Sequence, residues 1–126
     1  MQIQNEKSTD KNWTTTTPAM QSCIQNCFEC FQICSQTLSY CLENGGQFLE
    51  PKRLKLLWDC AGICDLSAKF MIRNSENHSL TCKVCAEICT ACAASCEAMP
   101  GDEMMKKCVD ICRKCAKSCE EMASLH

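Results

Sequence analysis

The sixteen cysteines of this chain of 126 residues fall into a repeated spacing. The string C-x3-C-x2-C-x3-C occurs as Cys23/Cys27/Cys30/Cys34, as Cys85/Cys89/Cys92/Cys96 and as Cys108/Cys112/Cys115/Cys119. Along an α-helix, steps of four and three residues rotate by roughly +40° and −60°, so each string stays within a strip about 60° wide. A chain built this way presents rows of thiols on helix faces, and the faces must turn toward one another. Cys41 extends the first string, Cys82 precedes the second, and the pair Cys60/Cys64 marks a fourth segment with the same step of four.

Punctuation divides the chain into the helices that carry these rows. Thr17-Pro18 places a capping residue before a proline at the first helical position, and the pattern runs on to Gly45-Gly46. Pro51 opens a second helix, with Leu54, Leu57, Cys60, Ala61, Cys64 and Met71 at helical spacing up to Asn74-Ser75. A third is predicted from about Ser79 to Met99, stopped by Pro100-Gly101, and Asp102 caps a fourth that reaches Ser124. No segment alternates with period two. Four helices joined by short connections predict an all-α fold, an antiparallel up-down-up-down four-helix bundle with a cysteine-lined core over residues 18–124. The polar, Thr-rich residues 1–17 read as a flexible N-terminal arm.

Composition sets the chemistry of that core. Leu, Ile, Val and Phe make up less than about a fifth of the chain, too few for an ordinary apolar core, while a net charge of only −2 argues against wholesale disorder. Near charge balance with no basic stripe excludes nucleic acid as a partner. No uninterrupted apolar run has the length of a membrane span, and the first seventeen residues lack the features of an export signal, so a cytoplasmic protein with reduced thiols is expected.

Sixteen small thiols along a bundle axis would leave it underpacked if they served only as hydrophobes. Disulfides do not suit neighbours on one helix strip or a reducing compartment. Metal–thiolate bonds supply the missing cohesion. Copper(I) is soft and accepts two or three thiolates, whereas zinc closes a tetrahedron of four. Four zinc sites of four cysteines would leave the core at −8, a large unneutralised charge to bury. Thiolates bridging about sixteen coppers would leave it neutral. Bridged zinc or cadmium clusters also reach neutrality and stay open as the alternative. Iron–sulfur binding is excluded by spacing, since C-x2-C-x2-C-x3-C-P does not occur. A thiol redox role is the weaker alternative, because a thioredoxin-like C-x2-C site expects strands and one exposed pair. Two histidines, one of them terminal, build no catalytic triad, so the chain is not read as an enzyme.

The repeated strings on three helices, within residues from about Pro18 to Met122, resemble the cytosolic copper storage proteins, cysteine-lined four-helix bundles of bacteria. The resemblance implies storage of many Cu(I) ions, with all sixteen cysteines as ligands: Cys23, Cys27, Cys30, Cys34, Cys41, Cys60, Cys64, Cys82, Cys85, Cys89, Cys92, Cys96, Cys108, Cys112, Cys115 and Cys119. It also implies a homo-oligomer, a tetramer in that family, and an unidentified copper donor or acceptor. The stripe Ile24, Phe28, Phe31, Leu38 and Leu42, one residue off the cysteine seam, is expected to cover inter-helix grooves or an oligomer contact.

Antiparallel order brings Met20, Met71, His78 and Met122 to one mouth of the bundle, where thioethers and an imidazole are candidate entrance ligands. His78 belongs to the seam only if the third helix starts before Ser79. Met99, Met104 and Met105 lie at the opposite mouth, where Leu54 and Leu57 are expected to form a plug.

Overall fold

The computed structural model describes residues 16–124. Four helices follow one another: α1 (Pro18–Asn44), α2 (Pro51–Ile72), α3 (His78–Glu97) and α4 (Glu103–Ser124), with a 3-10 turn at Gly46–Leu49 between the first two. There are no strands among the described residues. Each helix packs on its sequence neighbours and α4 closes against α1, which is the expected up-down-up-down bundle. The arm predicted over residues 1–17 lies almost wholly outside the described residues.

The helix starts follow the punctuation. Thr17 Oγ1 accepts the Met20 amide at 3.1 Å, with Pro18 opening the first turn. Glu50 caps α2 through the Arg53 amide at 2.8 Å, and Asp102 Oδ1 takes the Met105 amide at 3.0 Å at the head of α4. Gly45, at φ 68°, ends α1 in a backbone region that favours glycine. The third helix departs from expectation. It begins at His78, not Ser79, and ends at Glu97, short of Met99.

Buried Ile24, Ile33, Ile111, Ala61, Ala68, Ala86, Ala93 and Ala116 flank the thiol rows and let the helices approach closely. The bulkiest wholly buried side chains, Leu57, Met71, Met105 and Met122, stand at the two ends. The middle of the bundle is therefore filled with sulfur. Among the described residues, α3 alone is long and apolar enough to cross a membrane by length and composition. Much of that character comes from cysteines turned inward onto the other helices. On α1, Ile24 is buried and Leu38 half-buried, while Phe28, Phe31 and Leu42 remain exposed.

Candidate metal centre

All sixteen cysteines are buried and free of disulfides. Thirteen of their sulfurs, all but those of Cys41, Cys82 and Cys92, form a continuous path of contacts 3.6 to 4.0 Å long, far beyond the roughly 2.05 Å of a disulfide. Cys23 and Cys27 each contact Cys119 at 3.6 Å, and Cys27 contacts Cys115 at 3.7 Å. Farther in, Cys64 lies 3.6 Å from both Cys85 and Cys89, and Cys60 lies 3.6 Å from Cys89. Cys34 then meets Cys112 at 3.7 Å and Cys108 at 3.9 Å, and Cys96 meets Cys108 at 4.0 Å. Cys41, also buried, lies at the far end beside the charge of Arg53.

These contacts assemble into overlapping groups of four whose sulfurs all lie within 4.8 Å of one another. Cys27/Cys85/Cys115/Cys119 overlaps Cys64/Cys85/Cys89/Cys115, which overlaps Cys30/Cys60/Cys64/Cys89. The last shares Cys30 and Cys60 with Cys30/Cys34/Cys60/Cys112, which in turn shares Cys34 and Cys112 with Cys34/Cys92/Cys108/Cys112. A sulfur that belongs to two groups is placed to bridge two metal ions. The four-three spacing produces this sharing, because each helix delivers its next thiol about one turn farther along the same axis.

Without metal the thiols hydrogen-bond one another. Contact with Cys108, then Cys112 and Cys30, together with burial, holds the Cys34 proton on well above the usual thiol range. Cys82 is pushed up to about 12, since the lowering by Cys119 is outweighed by Cys23 and by burial. Burial pushes Cys41 up, against the nearby positive charge of Arg53.

The candidate entrance residues are all in the core. Met20, Met71 and Met122 are buried at one end, and Met71 Sδ lies 3.7 Å from Cys82 Sγ. His78 is 4% exposed, and its Nδ1 donates to the Ser75 carbonyl at 2.8 Å. Because α3 starts one residue earlier than predicted, His78 continues the cysteine seam. A backbone acceptor on one ring nitrogen is the usual way to orient the other toward a metal.

The far end differs from the expected plug. Leu57 is fully buried but Leu54 is only half-buried, and Arg53 is the buried residue one turn before Leu57. Its guanidinium donates from Nε to the Ser95 carbonyl and from Nη1 to the Gln47 carbonyl, each at 3.2 Å. It thereby ties α2 to the end of α3 and to the 3-10 turn. Met105 is wholly buried beside this closure, and Met99 and Met104 are half-buried. Arg53, Thr37 and Ser67 are core residues that a reading confined to sulfur and apolar side chains misses. All three continue the four-three register: Arg53, Leu57, Cys60, Cys64, Ser67 and Met71 on α2, and Cys30, Cys34, Thr37 and Cys41 on α1.

A helical bundle whose axis is a chain of shared thiol tetrads defines a class of protein that holds thiophilic metal ions in quantity. The family profile described as copper storage protein matches residues 16–124, and the chain belongs to that family. Among solved structures, the chain is similar to the protein Nmul_A1745 from Nitrosospira multiformis: 43% identity, TM-score 0.83, covering 88% of this chain and 100% of that one. It is similar to the Cu(I)-bound copper storage protein BsCsp3 of Bacillus subtilis at 31% identity and TM-score 0.79, covering 83% of this chain and 98% of that one. The Streptomyces lividans copper storage protein Ccsp, loaded with 10 copper equivalents, matches at 28% identity and TM-score 0.74, over 84% of each chain. The chain accordingly binds and stores multiple Cu(I) ions through the thiolates that line its core.

Proposed function

We propose that all sixteen cysteines act as ligands and that the bundle over residues 18–124 stores about one Cu(I) per cysteine, with each thiolate bridging two ions. The sharing of Cys30, Cys34, Cys60, Cys64, Cys85, Cys89, Cys112 and Cys115 between tetrads carries this reading. Separate four-thiolate zinc sites would each hold a net charge of −2 in a core where, among the described residues, Arg53 is the one buried lysine or arginine. Monovalent copper at one per thiolate leaves the sulfur chain neutral. Storage of this kind is not catalysis: the ion leaves as it arrived.

Copper enters and leaves, in this reading, through the mouth formed by Met20, Met71, His78 and Met122. Thioethers bind Cu(I) without releasing a proton and more weakly than thiolates, which suits ligands that receive and return an ion. Arg53 supports the direction of traffic, because a buried positive charge at the other end opposes the passage of a monovalent cation. Exposed Phe28, Phe31 and Leu42 on α1, with Trp58 and Leu66 on α2, support assembly into a homo-oligomer, a tetramer as the family resemblance implies. A cytoplasmic location completes the proposal, in line with the Streptomyces relative, which is described as cytosolic.

The test is an anaerobic titration of fully reduced protein with Cu(I) against a competing chelator, with zinc in parallel. Tight uptake of about 16 coppers per chain supports the reading. Saturation at about four ions with zinc preferred would replace it with a set of separate tetrahedral sites, because four thiolates close each zinc.

A further inference from the structure

On α1, α3 and α4 the core register is filled by cysteine through four successive slots, whereas on α2 the same slots read Cys60, Cys64, Ser67 and Met71. The two slots without a thiol lie together beneath the mouth. Ser67 and Met71 are fully buried there. Ser67 Oγ lies 3.6 Å from Cys82 Sγ and 3.3 Å from Thr81 Oγ1, and Cys82 Sγ lies 3.7 Å from Met71 Sδ. The Thr81 hydroxyl donates to the His78 carbonyl at 3.0 Å, so its oxygen meets Ser67 as an acceptor, and the one Ser67 proton is shared between Thr81 Oγ1 and Cys82 Sγ.

We propose that Cys82, Met71 and Ser67 form an exchange site for Cu(I), distinct in strength from the bridged store behind it. The inference rests on the reading of the core as a copper–thiolate store. A Cu(I) ion delivered here displaces the Cys82 proton to solvent and bonds to one thiolate and one neutral thioether, with no change in oxidation state. The site is neutral once filled. Two features make its grip weaker than that of the inner tetrads. The thioether is a poorer donor than a second thiolate. The Ser67 hydroxyl, donating to the Cys82 sulfur, draws off electron density that the metal would otherwise use. Cys23 and Cys119, 3.6 Å apart and both in reach of Cys82, offer the thiolates to which the ion passes next. A cysteine at position 67 would complete the α2 string and turn the exchange site into part of the store.

The experiment compares the wild type with Ser67→Cys, Ser67→Ala and Met71→Leu, each loaded anaerobically with Cu(I) and mixed with excess bathocuproine disulfonate. Wild type is expected to release about one copper per chain in a fast phase before the bulk, and Ser67→Cys to release that copper about tenfold more slowly. Ser67→Ala keeps a fast phase but slows it less than Ser67→Cys does, because it loses the hydroxyl's hydrogen bond without adding a thiolate, and Met71→Leu loses the phase. Equal far-UV circular dichroism before loading checks that the variants fold. Should Ser67→Cys fail that check, the loss of the fast phase in Met71→Leu carries the test. A Ser67→Cys protein that gives up its first copper at the wild-type rate overturns the proposal. So does a wild type that stores copper without a fast phase, whereas a wild type that does not store copper overturns the underlying function instead.

Discussion

Replacing Arg53 by methionine keeps most of the buried stem and removes the charge that closes one end of the bundle. Two consequences can be separated. The first is stability: the Ser95 and Gln47 carbonyls each lose a donor now at 3.2 Å. Hydrogen bonds to charged groups contribute about 1.5–3 kcal/mol each, and water near the bundle end recovers part of that, so a net loss of about 2–4 kcal/mol is expected. In a domain of this size the melting temperature of the copper-free protein falls by roughly 8–16 °C. The second consequence is passage. A Cu(I) ion within about 5 Å of the guanidinium, at an effective dielectric constant near 20, meets a repulsion of about 3 kcal/mol. Removing it opens this end by roughly two orders of magnitude in rate. The assay is anaerobic release of stored copper to excess chelator, alongside thermal unfolding. Arg53→Lys is the control: it loses the forked hydrogen bonds and some stability but keeps the charge, so its release rate stays near wild type. If Arg53→Met melts lower yet releases copper no faster than Arg53→Lys, the charge does not close this end and the reasoning fails.

Asp102 predicts a pH-dependent effect at the same end. Its carboxylate accepts the Tyr40 hydroxyl at 2.7 Å and the Met105 amide at 3.0 Å, and these two donors, Tyr40 foremost, hold it below the usual carboxylate range. A carboxyl lowered on folding stabilises above its unfolded value, and that stabilisation disappears as pH falls through the folded value. Asp102→Ala should therefore cost about 1 kcal/mol at neutral pH through the lost cap, with the difference from wild type narrowing in acid denaturation curves. An equal difference at pH 7 and in strong acid would contradict this origin. The reduced, metal-free chain is expected to be helical already by far-UV circular dichroism, because its caps and its Ala and Ile flanks need no copper. A coil spectrum would make copper a requirement for folding.

Much of the bundle is legible in the sequence because cysteine reports helical register more sharply than a mixture of apolar residues does. Steps of four and three leave only one face for the thiols, and Thr17-Pro18 and Asp102 cap where their types suggest. The start of α3 was harder to read, since Asn77, His78 and Ser79 in succession offer competing caps; the helix begins after Asn77 without using its side chain. Arg53 stayed hidden for a different reason. An arginine in the first turn of a helix ordinarily points to water, and only the backbone carbonyls of Gln47 and Ser95, brought there by tertiary packing, make its burial acceptable. Ser67 is equally silent as a polar residue between Cys64 and Met71, although extending the cysteine register along α2 places it on the seam. The 3-10 turn after Gly45 gave no signal of its own, yet it supplies one of the carbonyls that hold Arg53.

Proton release during copper loading tests the central claim, that bridging thiolates hold about one Cu(I) each in a neutral core, most directly. Buried thiols are protonated before copper arrives, and each becomes a thiolate only as metal replaces its proton. In weakly buffered solution at neutral pH, with copper supplied from a proton-neutral complex, the account predicts about one proton released per copper at saturation and about 16 of each per chain. Two protons per copper, with uptake ending near eight ions, would mean isolated two-thiolate sites and would contradict the shared-thiolate core.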